Sequence, residues 1–108
     1  MRPDAALGIL LLELHFPENH SLKEKRQPLT SLRDVVQRRF RASFSEVGHQ
    51  DVWQRSRILV AVTGSSLSQA EQRTAEIERY IHGRDDLIVS MTLLRTVENV
   101  AALWDVEA

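Results

Sequence analysis

Residues 6–16 read Ala-Leu-Gly-Ile-Leu-Leu-Leu-Glu-Leu-His-Phe, and no other run constrains the fold of this chain as strongly. Gly8, Leu10, Leu12, Leu14 and Phe16 share one parity, while Leu7, Ile9 and Leu11 on the other give way to Glu13 and His15. A strand that is apolar on both faces for half its length belongs in the middle of a sheet, where both faces are covered. The run is too short to cross a bilayer. It also lacks the basic stretch and small-residue cleavage site of a secretion signal. A soluble, cytoplasmic protein without membrane contact is therefore expected.

Pro17-Glu18-Asn19-His20 ends the strand, and Ser21-Leu22-Lys23-Glu24 has capping-box spacing. The Ser21 hydroxyl can accept from the Glu24 N–H while the Glu24 carboxylate returns to the Ser21 N–H. Leu22, Leu29, Leu32, Val36 and Phe40 follow at helical spacing as a buried stripe, so the sequence predicts a helix over roughly 21–41. Pro28 removes one intrahelical hydrogen bond, which predicts a kink or break near Arg26. Strands are predicted at 41–47 and 53–63, the second alternating through Ile58, Val60 and Val62. Ala70, Thr74, Ile77 and Ile81 form a second helical stripe, started by Ser66/Gln69 or Ser68/Glu71 and closed by Gly83 at the C′ position. A last strand is predicted from Leu87 to about Val97. The order strand, helix, strand, strand, helix, strand gives two βαβ halves. Right-handed crossovers place both helices on one face of a four-stranded antiparallel sheet. This is a ferredoxin-like α/β (α+β) sandwich, and 108 residues suit a single domain. Residues 98–108 form a tail or strand extension.

The formal net charge of −1 conceals a segregation of signs. Residues 21–57 hold nine basic side chains against four acids, a net of +5, whereas 1–20 carry −2 and 58–108 carry −4. A near-neutral total argues against a general polyanion binder, but the basic block permits a local anion-binding patch. The bland alternative is a set of solvated helix surfaces. Cysteine is absent, which removes disulfides, thiolate metal sites and a Cys nucleophile.

Two segments inside the basic block go beyond periodicity. Ser21-Leu22-Lys23-Glu24-Lys25-Arg26 opens the first helix, and Glu46-Val-Gly-His-Gln-Asp-Val-Trp-Gln-Arg55 bridges the second and third strands. With these motifs at this separation, the chain from Gly8 to about Arg95 resembles the YlxP-like family of small bacterial proteins, a domain of unknown function. The resemblance implies a ferredoxin-like fold, in agreement with the element order. It implies no established reaction. Members are often encoded beside a translation initiation factor and a ribosome-binding factor, which suggests a place near RNA or ribosome assembly. The family-motif residues carried over are Ser21, Leu22, Glu24, Glu46, Gln50, Asp51, Trp53 and Gln54.

Lys23, Lys25 and Arg26 are expected to project from the exposed side of the first helical turns, with Arg33 further along. Cations there oppose the helix dipole at a cost of about a few tenths of a kcal/mol each, unless an anion or a nearby acid compensates. Trp53 could stack on a base while Arg55 and Arg57 hold phosphate; its plain alternative is packing at the sheet edge. Asp51 would then cap a turn and Gln54 bond backbone. His15, His20, and His49 with Asp51 lack the convergent spacing of a zinc site. Glu46 with Asp51 could form an acid–base pair but has no recognisable nucleophile beside it. No metal, no cofactor and no catalytic residue is expected. The leading expectation is a non-enzymatic protein that binds rRNA or ribosomal particles through Lys23, Lys25, Arg26, Arg33, Arg55 and Arg57. One alternative is a homodimeric interaction scaffold using the open sheet face, where Leu7, Ile9, Leu11 and Leu59 point unless the tail with Leu103 and Trp104 covers them. A small hydrolase or metal protein centred on Glu46, His49 and Asp51 is the third.

Overall fold

The computed structural model describes residues 5–102. The elements are β1 (Ala6–His15), α1 (Leu22–Arg38), β2 (Ser43–Gly48), β3 (Arg55–Gly64), α2 (Leu67–His82) and β4 (Ile88–Val97). The sheet order is β2-β3-β1-β4, and every neighbouring pair is antiparallel. This is the ferredoxin-like arrangement, with the doubly apolar β1 between β3 and β4. Leu10, Leu12, Leu14, Ile58, Val60 and Val62 bury against Leu32 and Val36 of α1 and Ile77 and Ile81 of α2. Among the described residues no helix is long and apolar enough to cross a membrane.

The boundaries differ from the expected ones for local reasons. The capping box forms at Ser21, whose Oγ accepts from Glu24 N–H at 3.0 Å, but the Glu24 carboxylate returns to His20 N–H at 2.6 Å, not to Ser21. The helix continues unbroken through Pro28. Pro28 leaves the carbonyl of Glu24 unserved, and Glu24 is exposed, so water can take the place of the missing donor. At the other end, Arg41 takes a left-handed φ of 53°, and Ala42 N–H reaches back to Val36 C=O at 3.2 Å. The helix thus closes through a left-handed residue that is arginine where glycine is usual, and this delays β2 to Ser43. Gly83, by contrast, is not a left-handed C′ residue. It is the C-cap, with φ −83°, and its N–H serves the Arg79 and Tyr80 carbonyls.

Leu22, expected on the buried stripe, is 42% exposed. The tail returns toward the N-terminal end of β1, where Val100 N–H donates to Ala5 C=O at 2.8 Å. Leu103 and Trp104 lie outside the described residues.

The turn before β4 is pinned by Arg84, which chelates Asp86 at 2.9 and 2.5 Å and also donates to Tyr80 Oη and Ser31 Oγ. The Arg84 guanidinium holds the Asp86 carboxyl below its ordinary value of 3.8, with partial burial working the other way. A carboxyl whose folded-state value is depressed adds stability above its unfolded value and loses that contribution as the pH falls through the lowered folded-state value. Asp86→Asn should therefore lower the melting temperature slightly at neutral pH, with the gap closing as the buffer is taken below pH 3.8. Thermal melts of both proteins across pH 2–8 check this; a gap that widens in acid would exclude it.

Candidate functional site

Lys25 stands on the first turns of α1, four residues before Leu29, seven before Leu32 and eleven before Val36. That spacing puts it on the buried stripe in the place Leu22 does not take. It is 3% exposed, which corrects the expectation that it projects into solvent for phosphate. Its ammonium group donates to the carbonyls of Val52 at 2.8 Å, His49 at 3.0 Å and Arg55 at 3.1 Å, with Gln50 at 3.5 Å. Glu46 Oε2 closes the shell at 3.0 Å and also accepts from Ser56 Oγ at 2.6 Å. A compact, tetrahedral point charge suits a cage of converging carbonyls in a way a planar guanidinium does not. Removed from water, the charge is sustained by its counter-ion and by the number of oxygens around it.

The segment 49–55 is therefore wound around a side chain of α1. His49 takes a left-handed φ of 59° at its start, and Val52 N–H closes a turn onto His49 C=O. A second tie comes from the 17–20 loop. Asn19 Nδ2 donates to Trp53 C=O at 3.3 Å, Gln54 Nε2 donates to Asn19 C=O at 3.0 Å, and Phe16 N–H donates to Gln54 C=O at 2.8 Å. The two sequence motifs meet at one end of the domain through these contacts. Ser21 and Glu24 start the helix, Lys25 and Glu46 form the cage, and Gln54 ties down the loop. Trp53 itself is 47% exposed, and Gln50 and Asp51 are exposed beside it. Gln54 bonds backbone, as its plain reading had it.

On the open face of the sheet, β1 and β3 bring a second charged group together. Glu13 pairs in register with Arg57, and His15 with Arg55. The Glu13 carboxylate is 6% exposed, bonded by Arg57 Nε, with Arg55 at 3.9 Å. His49 Nε2 lies 3.2 Å from Glu13 Oε2, at an angle that makes no hydrogen bond, and neither atom has another hydrogen-bond partner among the described residues. Glu13 is not among the site residues expected from the sequence. Its signal there is an abrupt charge in an apolar strand, on the parity that falls to the open face.

The expected cationic patch thus divides. Arg55 and Arg57 sit on the open sheet face, Arg57 paired with Glu13. Lys23, Arg26 and Arg33 are exposed along α1, on the covered face of the sheet. Lys23 and Arg26 line a shallow groove with Thr30 and Asp34, and Arg33 lies 3.6 Å from Asp34. The acid–base or metal trio also separates. Glu46 points to Lys25 and Ser56, His49 to Glu13, and Asp51 is exposed on the loop. Among the described residues no three His, Cys, Asp or Glu side chains are placed to hold a metal ion.

Comparison with known proteins places this geometry in context. The uncharacterized protein YlxP of Bacillus subtilis (strain 168) is 37% identical over 76 residues, 70% of this chain and 80% of its own length. The profile of the family described as "Protein of unknown function (DUF503)" matches residues 7–93, a span that takes in the Lys25 cage, the Trp53 loop and the Glu13 row of the sheet. The chain belongs to the DUF503 family, which includes YlxP-like proteins.

Proposed function

We propose that the protein is a non-enzymatic RNA-binding accessory of ribosomal particles, and that its contact surface is the 49–55 loop with the adjoining end of β3. The observation that carries this reading is Trp53, an indole left 47% exposed on a loop whose backbone is fixed from beneath by a buried ammonium. An exposed aromatic on a pre-ordered backbone offers a stacking surface at low entropic cost. Arg55, with a side chain 55% exposed, stands two residues away to meet phosphate. Lys23, Arg26 and Arg33 on α1 form a secondary, sequence-independent contact in this reading. The genomic company of YlxP-like proteins, beside translation and ribosome-assembly factors, points the same way.

Binding of rRNA fragments and purified ribosomal subunits by the wild-type protein, titrated against salt, tests the proposal. Trp53→Ala is expected to weaken binding about tenfold at fixed salt, within the range for one base–aromatic stack. Arg55→Glu is expected to weaken it and to flatten the salt dependence. Absence of wild-type binding to rRNA and to subunits at low salt overturns the reading.

A further inference from the structure

The open face of the sheet carries a row of three leucines. Leu11 of β1 is in register with Leu59 of β3 on one side and Leu93 of β4 on the other. Leu59 and Leu93 are 36% and 41% exposed, and Met91 and Val97 on the same face are 53% and 46% exposed. Both helices lie on the opposite face. The rows on either side of the leucines differ in charge. One holds Ile9 and Arg95; the other holds Glu13, Arg57 and Met91. Glu13 is the one carboxylate among the described strand residues of this face, and Arg95 bonds only the carbonyl of its own neighbour Leu94 among the described residues.

We propose that this face is the interface of a homodimer in which two copies pack sheet against sheet about a two-fold axis along the Leu59–Leu11–Leu93 row. Size and composition each favour a second copy. Three ten-residue strands and the shorter β2, at about 4.8 Å spacing and about 3.3 Å per residue, present roughly 500–600 Å² a side. Two such faces bury about 1,000–1,200 Å², at the lower bound for a specific interface. The centre of the face is aliphatic, without the aromatic side chains an RNA platform needs for stacking. A two-fold along the leucine row reverses strand direction, so the Ile9–Arg95 row of one copy lies over the Glu13–Arg57 row of the other. Each Arg95 is thereby set over the internally paired Glu13–Arg57 row instead of opposite its own counterpart, so the isologous interface avoids a like-charge contact. Trp53 stays at the rim, and the dimer carries one Trp53 loop at each end. Arg55, in the outermost row of the face, lies at the rim of the overlap, and the test of the dimer does not depend on RNA binding.

Light scattering coupled to size exclusion is expected to give twice the chain mass for the wild type. Leu93→Glu and Leu59→Glu are each expected to give the monomer with wild-type circular dichroism, because both side chains are solvent-exposed in the single chain. The cysteine-free sequence allows an unambiguous second readout. Leu93→Cys is expected to link to itself through a bismaleimide spanning about 10 Å, the spacing of face-packed sheets, while Ser68→Cys on the outer side of α2 is not. A monomeric wild type overturns the proposal. So does a dimer that survives both glutamate substitutions, which would assign association to another surface such as the outer edge of β4. Failure of the Leu93→Cys protein to link to itself while still dimeric rejects the leucine-row axis.

Discussion

Lys25→Met should be among the most damaging single substitutions on α1, with a loss of about 3–5 kcal/mol in unfolding free energy. Methionine fills nearly the same volume and keeps the aliphatic stem packed. What it removes is the donor for the carbonyls of His49, Val52 and Arg55 and the counter-ion of Glu46. Those oxygens stay buried or half-buried without a partner, and the cost of an orphaned acceptor exceeds the net worth of the bond that is lost. For a chain of this size the melting temperature should fall by roughly 15 °C or more. Lys25→Arg should recover little, since a planar fork cannot address acceptors that converge from several directions. Urea titrations of the three proteins give the ranking, and hydrogen exchange locates it, with amides of 49–55 losing protection first. A Lys25→Met protein within about 1 kcal/mol of wild type would show that the cage does not hold the loop. Under the proposed function, the same variant should lose RNA affinity even though Lys25 touches no RNA, because the Trp53 loop is no longer pre-ordered.

The contrast between Lys25 and its neighbours shows what the sequence can and cannot disclose. Element order and the central place of β1 are legible, because strand and helix periodicities differ and Leu7 through Leu12 are apolar on both parities. The helix end at Arg41 is not, since the left-handed closure there uses an arginine where glycine or asparagine would have signalled it. Lys25 is hidden in another way. Charge type outweighs position, so a lysine among Lys23, Glu24 and Arg26 reads as solvated although it shares helical spacing with Leu29, Leu32 and Val36. The partners of a buried ammonium are backbone carbonyls, which leave no trace in residue type. Glu46 is the legible half of the pair, but Lys25 lies 21 residues before it and only the fold brings them together.

Glu13 is a similar case at the level of the sheet. Its charge in β1 becomes intelligible only with the β1–β3 register that sets Arg57 across from it. The six cations expected to meet phosphate are therefore three things in space. One cation is structural at Lys25, two adjoin a carboxylate on the open face at Arg55 and Arg57, and a solvated row runs along α1. Net charge over a stretch of chain reports none of that division, because sequence neighbours on a helix or strand face different ways.

Gly8→Ala should cost at the upper end of the roughly 1–3 kcal/mol typical of overpacking, and the damage should be largely reversed by a second change on α2. A Cβ at Gly8 would sit 2.0 Å from Thr74 Oγ1, with Val62 Cγ1 at 3.1 Å and the Ala70 carbonyl at 3.3 Å. Thr74 is buried and cannot swing away, because its hydroxyl donates to that same Ala70 carbonyl at 2.6 Å. The absent side chain at Gly8 is thus what lets α2 lie close on β1. Removing the hydroxyl and methyl with Thr74→Ala opens the space the new Cβ needs. In the wild-type background Thr74→Ala alone should cost about 1 kcal/mol through lost packing and a lost hydrogen bond. In the Gly8→Ala background the same change should stabilise, since the remaining approaches at 3.1 and 3.3 Å can be relieved by small shifts. The sign reversal is what a shared clash predicts, and neighbouring positions are where additivity fails. Four urea curves close the cycle, and a Thr74→Ala effect of equal size and sign in both backgrounds would mean that α2 has room to move and that Gly8 is not what sets its approach.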